Sequence, residues 1–405
     1  MSRRMEHALP RRRSATSPLN GTTPRRRTHP VIRSAGTGTK APMQEGPVTQ
    51  PLRIGVVGAG FMGRQHIDLI SASPGAVLAA IADPAAPRDG GLGCPVYEDA
   101  PAMLHAGGVD AVVIADPTPM HAETAVECLE AGVAVLLEKP AAMDYAESRR
   151  LADSIRRLNG RLLVGHHRRH HPAVARARSA IHDGELGDVV AVSGLWSARK
   201  DDAYFTDTPW HRAPGAGVML INVVHDLDLL RHLCGEVAEI QAISSSRARG
   251  LEVEDTVSLN LRFETGAVGS FLASDAAVSP WGWDQATEET LAFPYLPDEV
   301  AYRIVGTRAA LSVPNLALYT YQQAVPPDWH SPLSRTYLPV EHRSSFRAQL
   351  DHFIEVARGT AEPLVSADDA SRTLALVEAA ARAASERTTV DVVAFRAAIE
   401  AAEPT

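Results

Sequence analysis

Apolar positions along the chain fall into two successive rhythms. Beyond residue 50, short continuous apolar runs alternate with stretches of helical period. The runs Ile54–Val57, Val77–Ala82, Pro95–Tyr97, Ala111–Ala115, Ala134–Leu137 and Leu162–Val164 have the length of strands, and most are unbroken enough for burial on both faces. Helical patterns follow the first run and recur over Ala100–Ala106 and Met120–Ala131. Strands alternating with helices predict a parallel, doubly wound sheet of α/β class. After a helix near Ala173–His182 the rhythm changes to strand runs separated by turns: Val189–Trp196, Glu239–Ser246, Thr256–Phe263, Ala267–Ser274, Ala301–Val305 and Ala309–Val313. Consecutive strands of this kind predict a second, mostly antiparallel sheet. One long helix, Asn222–Leu233, interrupts it, and two more, near Phe346–Arg358 and Ala367–Ser385, approach the end of the chain.

With 405 residues, 45% of them hydrophobic, the chain can form two domains of ordinary size, each with its own core. No apolar stretch approaches the roughly 18 residues that a membrane helix needs. Cys94, Cys128 and Cys234 follow no metal or disulfide spacing, so a reducing, cytoplasmic setting is expected. The net charge of −8 conceals an asymmetry: residues 1–50 carry ten Lys and Arg against two Glu, a net +8 that leaves −16 for the remainder. An acidic body offers nothing to nucleic acid. Residues 1–50, rich in Arg, Ser, Thr and Pro and without apolar period, are expected to form a disordered basic extension. No apolar segment follows the paired arginines, Pro10, Pro18 and Pro24 oppose an amphipathic transit helix, and translation could begin at Met43.

Candidate chemistry begins where the first strand meets the first helix, in RIGVVGAGFMGRQH. Gly58 permits the tight turn, Gly60 lets a pyrophosphate approach the main chain, and Gly63 lets helix pack against strand. The helix start at Phe61 and Met62 supplies free N–H groups to the phosphates. The second strand ends at Asp83, whose carboxylate can accept hydrogen bonds from ribose hydroxyls and repels a 2'-phosphate, favouring NAD over NADP. Asp83 could instead cap the turn before Pro84, and Arg88 could accommodate a phosphate, so NADP stays open. Ligands of doubly wound sheets collect beyond the C-terminal strand ends. The loops ADPTPMH, with Pro117, Thr118 and His121, and EKPAA, with Glu138 and Lys139, are therefore expected at the cofactor.

VVGAGFMG, ADPTPMHAETAVECLEAG, Glu138-Lys139-Pro140 and LINVVHDLDLLRHLCGEV together resemble the Gfo/Idh/MocA oxidoreductase family over about residues 52–390. The resemblance implies an N-terminal Rossmann domain and a C-terminal α+β domain whose open antiparallel sheet serves substrate binding and oligomer contacts. It also implies nicotinamide-dependent redox chemistry on sugars, polyols or similar hydroxyl compounds. We divide the chain accordingly into residues 1–50, a nucleotide domain 51–170, a substrate and oligomerisation domain 171–390, and a tail 391–405. A homodimer or homotetramer is expected.

Oxidising a secondary alcohol requires a hydride acceptor, a base for the hydroxyl proton, and positive charge where alkoxide character develops. Lys139 fits the last role, and the resemblance assigns it as catalytic. His225 and Asp228 are three apart near a helix start and share a face, which makes His225 the candidate base, with Asp228 either orienting it or pairing with Arg231. Many family members carry an acidic residue four positions before this histidine. Here Ile221 stands there, and Asn222, the nearest polar residue, can orient a hydroxyl but cannot take its proton.

The segment VGHHRRHHP suggests a metal site, but clustered histidines beside two arginines repel a cation, and no metal is expected. The resemblance matches His167 and Arg168 to a substrate-facing pair, while Arg168 could equally pair with a carboxylate on the crossing helix. Trp210, Trp281 and Trp283 lie in polar loops where their faces could stack on a sugar, or could cover a sheet edge or subunit interface. The reading is an NAD(P)-dependent dehydrogenase or reductase of a sugar, inositol or related compound. Two alternatives accompany it: a hydrolase or lyase that retains NAD, and a non-enzymatic nucleotide sensor, against which the presence of both Lys139 and His225 counts.

Overall fold

The computed structural model describes residues 50–88, 93–213, 215–289, 293–322 and 328–402. The basic extension expected over residues 1–50 lies almost wholly outside them.

Six strands form a parallel sheet: β1 (Leu52–Val57), β2 (Ala76–Ala82), β3 (Val96–Tyr97), β4 (Ala111–Ile114), β5 (Ala134–Leu137) and β6 (Leu162–Val164), in the order β3-β2-β1-β4-β5-β6. Their apolar runs are unbroken because helices cover both faces; Ile54, Val56, Val112, Val113, Leu136 and Leu163 are fully buried. The strand order reverses between β1 and β4, so the crevice at their C-terminal ends is the place where this fold holds a ligand. The helix Tyr145–Leu158 links β5 to β6, with Asp144 accepting from Glu147 N (2.7 Å) and Glu147 accepting from Met143 N (2.8 Å).

The second sheet has nine strands: β7 (Val189–Ser197), β8 (Val237–Ser245), β9 (Thr256–Phe263), β10 (Val268–Ser274), β11 (Tyr302–Gly306), β12 (Ala309–Val313), β13 (Ala317–Tyr321), β14 (Leu333–Tyr337) and β15 (Val390–Asp391). Their order is β14-β13-β12-β11-β7-β10-β9-β8-β15, and only the β7–β10 pair is parallel. The strands alternate as expected when one face is buried: along β9, Val257, Leu259, Leu261 and Phe263 face the core while Ser258, Asn260 and Arg262 face out. Helices Val224–Cys234 and Ala367–Glu386 contribute Leu227, Leu230, Leu376 and Ala380 to that core.

The chain does not divide its cores at residue 170. Helix Ser345–Arg358 returns to the first sheet, where Leu350, Phe353 and Ile354 join its core. The segment 391–405, expected as a tail, is helical over Val392–Ala402, and Phe395 packs on the second core. The Tyr145 hydroxyl binds Glu400, so the last turn of this helix is tied to the first turn of helix Tyr145–Leu158.

Candidate active site

Between β1 and its helix, each glycine has a separate steric reason. Gly58 has φ +82°, and a side chain there would place Cβ 2.6 Å from the Ala115 carbonyl oxygen. At Gly63 the corresponding atom would lie 1.8 Å from the Gly58 carbonyl oxygen, so any larger residue pushes the helix off the strand. At Gly60 it would meet nothing within 4 Å, leaving the loop open on that side. Helix Phe61–Ser71 has no side-chain cap, Phe61 is 82% exposed, and the leading N–H groups point into the same opening. An uncapped helix start behind a glycine loop fits a dinucleotide pyrophosphate. Asp83 extends the cradle: Oδ2 accepts from Ala59 N (2.7 Å) and Oδ1 from Ala85 N (2.7 Å). Each oxygen keeps acceptor capacity for a ribose hydroxyl while the carboxylate fixes the loop.

Pro117 and Thr118 lie in and before the short turn Thr118–Met120 beyond β4. His121 and Glu138, expected at the cofactor, point into the protein instead. The His121 ring bonds the carbonyl oxygens of Asp116 (2.9 Å) and Pro140 (2.8 Å), joining the two loops. Glu138 is buried against His66 Nε2 (2.8 Å) and accepts from Lys139 N (3.2 Å). Both act on the cofactor loops from behind, because a buried polar group must find its partners internally.

Lys139 leaves this loop and donates from Nζ to the Ile221 carbonyl oxygen (3.3 Å). Burial, with Arg168 and Lys200 nearby, brings its ammonium down to about 8 against the opposing pull of Glu138. Ile221 belongs to a π-helical turn, Met219–Val223, that precedes helix Val224–Cys234, where a regular helix from Asn222 was expected. Glu254 stabilises the turn by accepting from Met219 N (3.0 Å), and its carboxylate occupies the space beside Gly217. Asn222 Oδ1 accepts from Lys200 Nζ (2.9 Å). One turn further, His225 is 9% exposed and its Nδ1 has no hydrogen-bond partner. Burial first, then the Lys139 and Arg168 charges, hold its pKa well below the ordinary value, so the ring is neutral at neutral pH.

His167 packs 5.3 Å from the His225 ring, stacks on Phe346 at 4.1 Å, and places Nε2 3.3 Å from Glu289. Arg168, expected at substrate, is 4% exposed and held between Asp226 (3.3 Å) and Asp284 (3.2 Å). Its pairing with the crossing helix, through Asp226, replaces the substrate contact. Asp226 also binds the Tyr302 hydroxyl, and burial pushes its pKa up to about 6. Asp228 neither faces substrate nor orients His225. It accepts from Arg169 (2.6 and 2.8 Å) and Thr373 (2.9 Å), while Arg231 turns to Glu236 (2.6 Å) and Asp369 (2.9 Å). The three-residue spacing set the face correctly, but that face meets arginine.

Trp283 is fully buried, with Nε1 donating to Glu289 (2.7 Å) and Arg168 5.6 Å from its ring, so it cannot stack on a sugar. Trp210 (59% exposed) and Trp281 (48%) remain on the surface. Lys200, Asp226, Glu254, Asp284 and Glu289 were not singled out by sequence. Among the described residues no group of three or more His, Cys, Asp or Glu is placed to hold a metal ion.

Comparison with known proteins fits this geometry. Residues 52–166 match "Oxidoreductase family, NAD-binding Rossmann fold", and residues 174–312 match "GFO/IDH/MocA C-terminal domain". Inositol 2-dehydrogenase of Rhizobium meliloti is 27% identical over 349 residues, 84% of this chain and 99% of that protein. Inositol 2-dehydrogenase of Rubrobacter xylanophilus is 30% identical over 278 residues, 66% of this chain and 73% of that protein. In fold, a crystallised oxidoreductase from Agrobacterium radiobacter, in complex with NAD+, L-tartaric acid and magnesium, superposes with a TM-score of 0.71 at 21% identity, covering 85% of this chain and all of that one. The glycine cradle, the Lys139 loop and the two matched segments lead to one conclusion: the chain belongs to the GFO/IDH/MocA family of NAD-binding oxidoreductases.

Proposed function

We propose that the protein is an NAD-dependent dehydrogenase that interconverts a secondary hydroxyl and a ketone on a sugar, inositol or related small polar compound. The observation that carries this is the Lys139 ammonium fixed to the π-turn that leads directly into the helix bearing the neutral His225, whose proton affinity burial and that ammonium lower. The names of the inositol 2-dehydrogenase relatives support the substrate class.

When bound, NAD supplies the hydride acceptor. Lys139 holds the reacting oxygen and stabilises the charge that develops on it. His225 accepts the hydroxyl proton, since a neutral imidazole has a lone pair to take it and Asn222 does not. The imidazolium so formed stands near Lys139 and Arg168, which favour its prompt release of that proton. Gly58, Gly60, Phe61, Met62, Gly63, Asp83, Pro117 and Thr118 would hold the nucleotide, with Asp83 favouring NAD over NADP. Exposed Ile243, Val268, Leu272 and Val305 on the second sheet favour a homo-oligomer, and the free cysteines fit a cytoplasmic setting. No described helix is long and apolar enough to cross a membrane.

The test is reduced-nicotinamide absorbance with NAD and a panel of inositols, sugars and polyols. Substrate-dependent reduction is the expected result. Product formation without net NAD reduction would replace this reading with retained-cofactor chemistry.

A further inference from the structure

Lys200 follows β7, and its own N–H is fixed to the Asp275 carbonyl oxygen (2.8 Å) beyond β10. Its side chain runs over the Tyr204 ring at 4.5 Å and reaches Asn222 Oδ1, with only 14% of the side chain exposed. Lys139 and Lys200 thus come from different sheets and attach to consecutive residues of the same π-turn, Ile221 and Asn222. We infer that Lys200, with the Asn222 carboxamide that it orients, is a second oxygen-binding group of the site and selects substrates that carry a carboxylate near the reacting hydroxyl.

The donors and acceptors at the turn decide the matter. An ammonium only donates, so the atom facing Lys200 must be the amide oxygen, and the Asn222 NH2 points elsewhere as a donor. Lys139 and Lys200 each keep N–H groups beyond the ones already used, whereas the neutral His225 ring supplies an acceptor. A neutral polyol brings hydroxyls that need acceptors as well as donors. A hydroxy acid brings one hydroxyl for His225 and a carboxylate that accepts from both Lys200 and Asn222.

Charge points the same way. The carboxylates around the two lysines are already engaged: Glu138 with His66, Asp226 and Asp284 with Arg168, Glu289 with Trp283, and Asp275 with Arg249 (2.9 Å). Lys139 has an uncharged oxygen as its hydrogen-bonded partner, Lys200 has the Asn222 amide oxygen with Asp275 at 3.6 Å, and burial lowers the proton affinity of both ammonium groups. An incoming anion compensates the buried positive charge.

This inference rests on the dehydrogenase reading only for which hydroxyl reacts, so it is tested by binding rather than turnover. The NADH-saturated protein is titrated calorimetrically with three matched pairs: D-glucuronate and D-glucose, D-galacturonate and D-galactose, D-gluconate and D-glucitol. At least one acid should bind about tenfold or more tighter than its neutral partner, and Lys200→Gln should remove that advantage. Asn222→Ala provides an independent variant and should reduce the same preference. If no acid binds better than its neutral partner, or if the preference survives in Lys200→Gln, the inference is wrong. A failed polyol assay alongside an intact acid preference would overturn the proposed reaction and leave Lys200 as an anion-binding residue.

Discussion

Lys139 Nζ lies 3.3 Å from the carbonyl oxygen of Ile221, so the Glu138–Lys139 loop is joined directly to the π-turn that leads into the helix carrying His225. Lys139→Met removes both this contact and the charge on the reacting oxygen. Turnover should fall by about 10²–10³, the loss typical of one oxyanion donor, while NADH affinity measured by fluorescence changes far less.

The Lys139 ammonium at about 8 also sets a pH limit. Its charged form is present below that value and disappears above it, so kcat/KM should decline on the alkaline side with an apparent pKa near 8. In Lys139→Arg the charge persists across the range, and whatever activity remains should lose this alkaline limb. A limb unchanged in that variant would assign the titration to another group.

His225 titrates well below the ordinary histidine range. It is therefore in its proton-accepting form throughout the neutral range, and no acid limb should appear between pH 7 and 6 in the rate profile. His225→Asn should lower kcat by about 10²–10⁴ with little change in nucleotide binding.

Asp83 offers a test of cofactor choice. Replacing it with Ser removes the charge that opposes a 2'-phosphate, and the NAD to NADP preference in kcat/KM should drop roughly tenfold to a hundredfold. Because Asp83 also holds Ala59 N, NAD affinity should weaken at the same time.

Asp228, by contrast, should matter for stability. It is buried against Arg169, and removing one partner of such a pair costs about 3–5 kcal/mol. The Arg169 guanidinium holds the carboxyl far below its usual range. Its contribution is complete above the unfolded pKa near 3.8 and is lost as the pH falls towards the folded value. Asp228→Ala should therefore lower the urea midpoint at pH 7 and flatten the acid end of the stability profile.

The two sheets were legible because their signals are local. Unbroken apolar runs mark β1, β4 and β5, alternation marks β9, and the glycine spacing places the loop in front of Phe61. The apolar rhythm does not mark helix Tyr145–Leu158, although Asp144 and Glu147 spell a capping box, nor the helix Val392–Ala402 in the segment where a tail is expected. Site roles were less legible, because they depend on which distant residue arrives opposite. Asp228 looks like a histidine partner until Arg169 occupies it, and Trp283 looks like a sugar platform until His171, Tyr302 and Arg168 enclose it. Lys200 sits in an unremarkable ARKDD stretch and acquires meaning only from Asn222, 22 positions away. The π-turn itself has no simple sequence signature.

The most direct test compares NAD reduction by the wild type and Lys139→Met across the inositol, sugar, polyol and sugar-acid panel, with NADH binding followed on both proteins. The account predicts substrate-dependent NAD reduction by the wild type and its near-complete loss in a variant that still binds NADH. Undiminished NAD reduction by Lys139→Met, or no reduction by a wild type that binds NADH and consumes a panel compound, would contradict it.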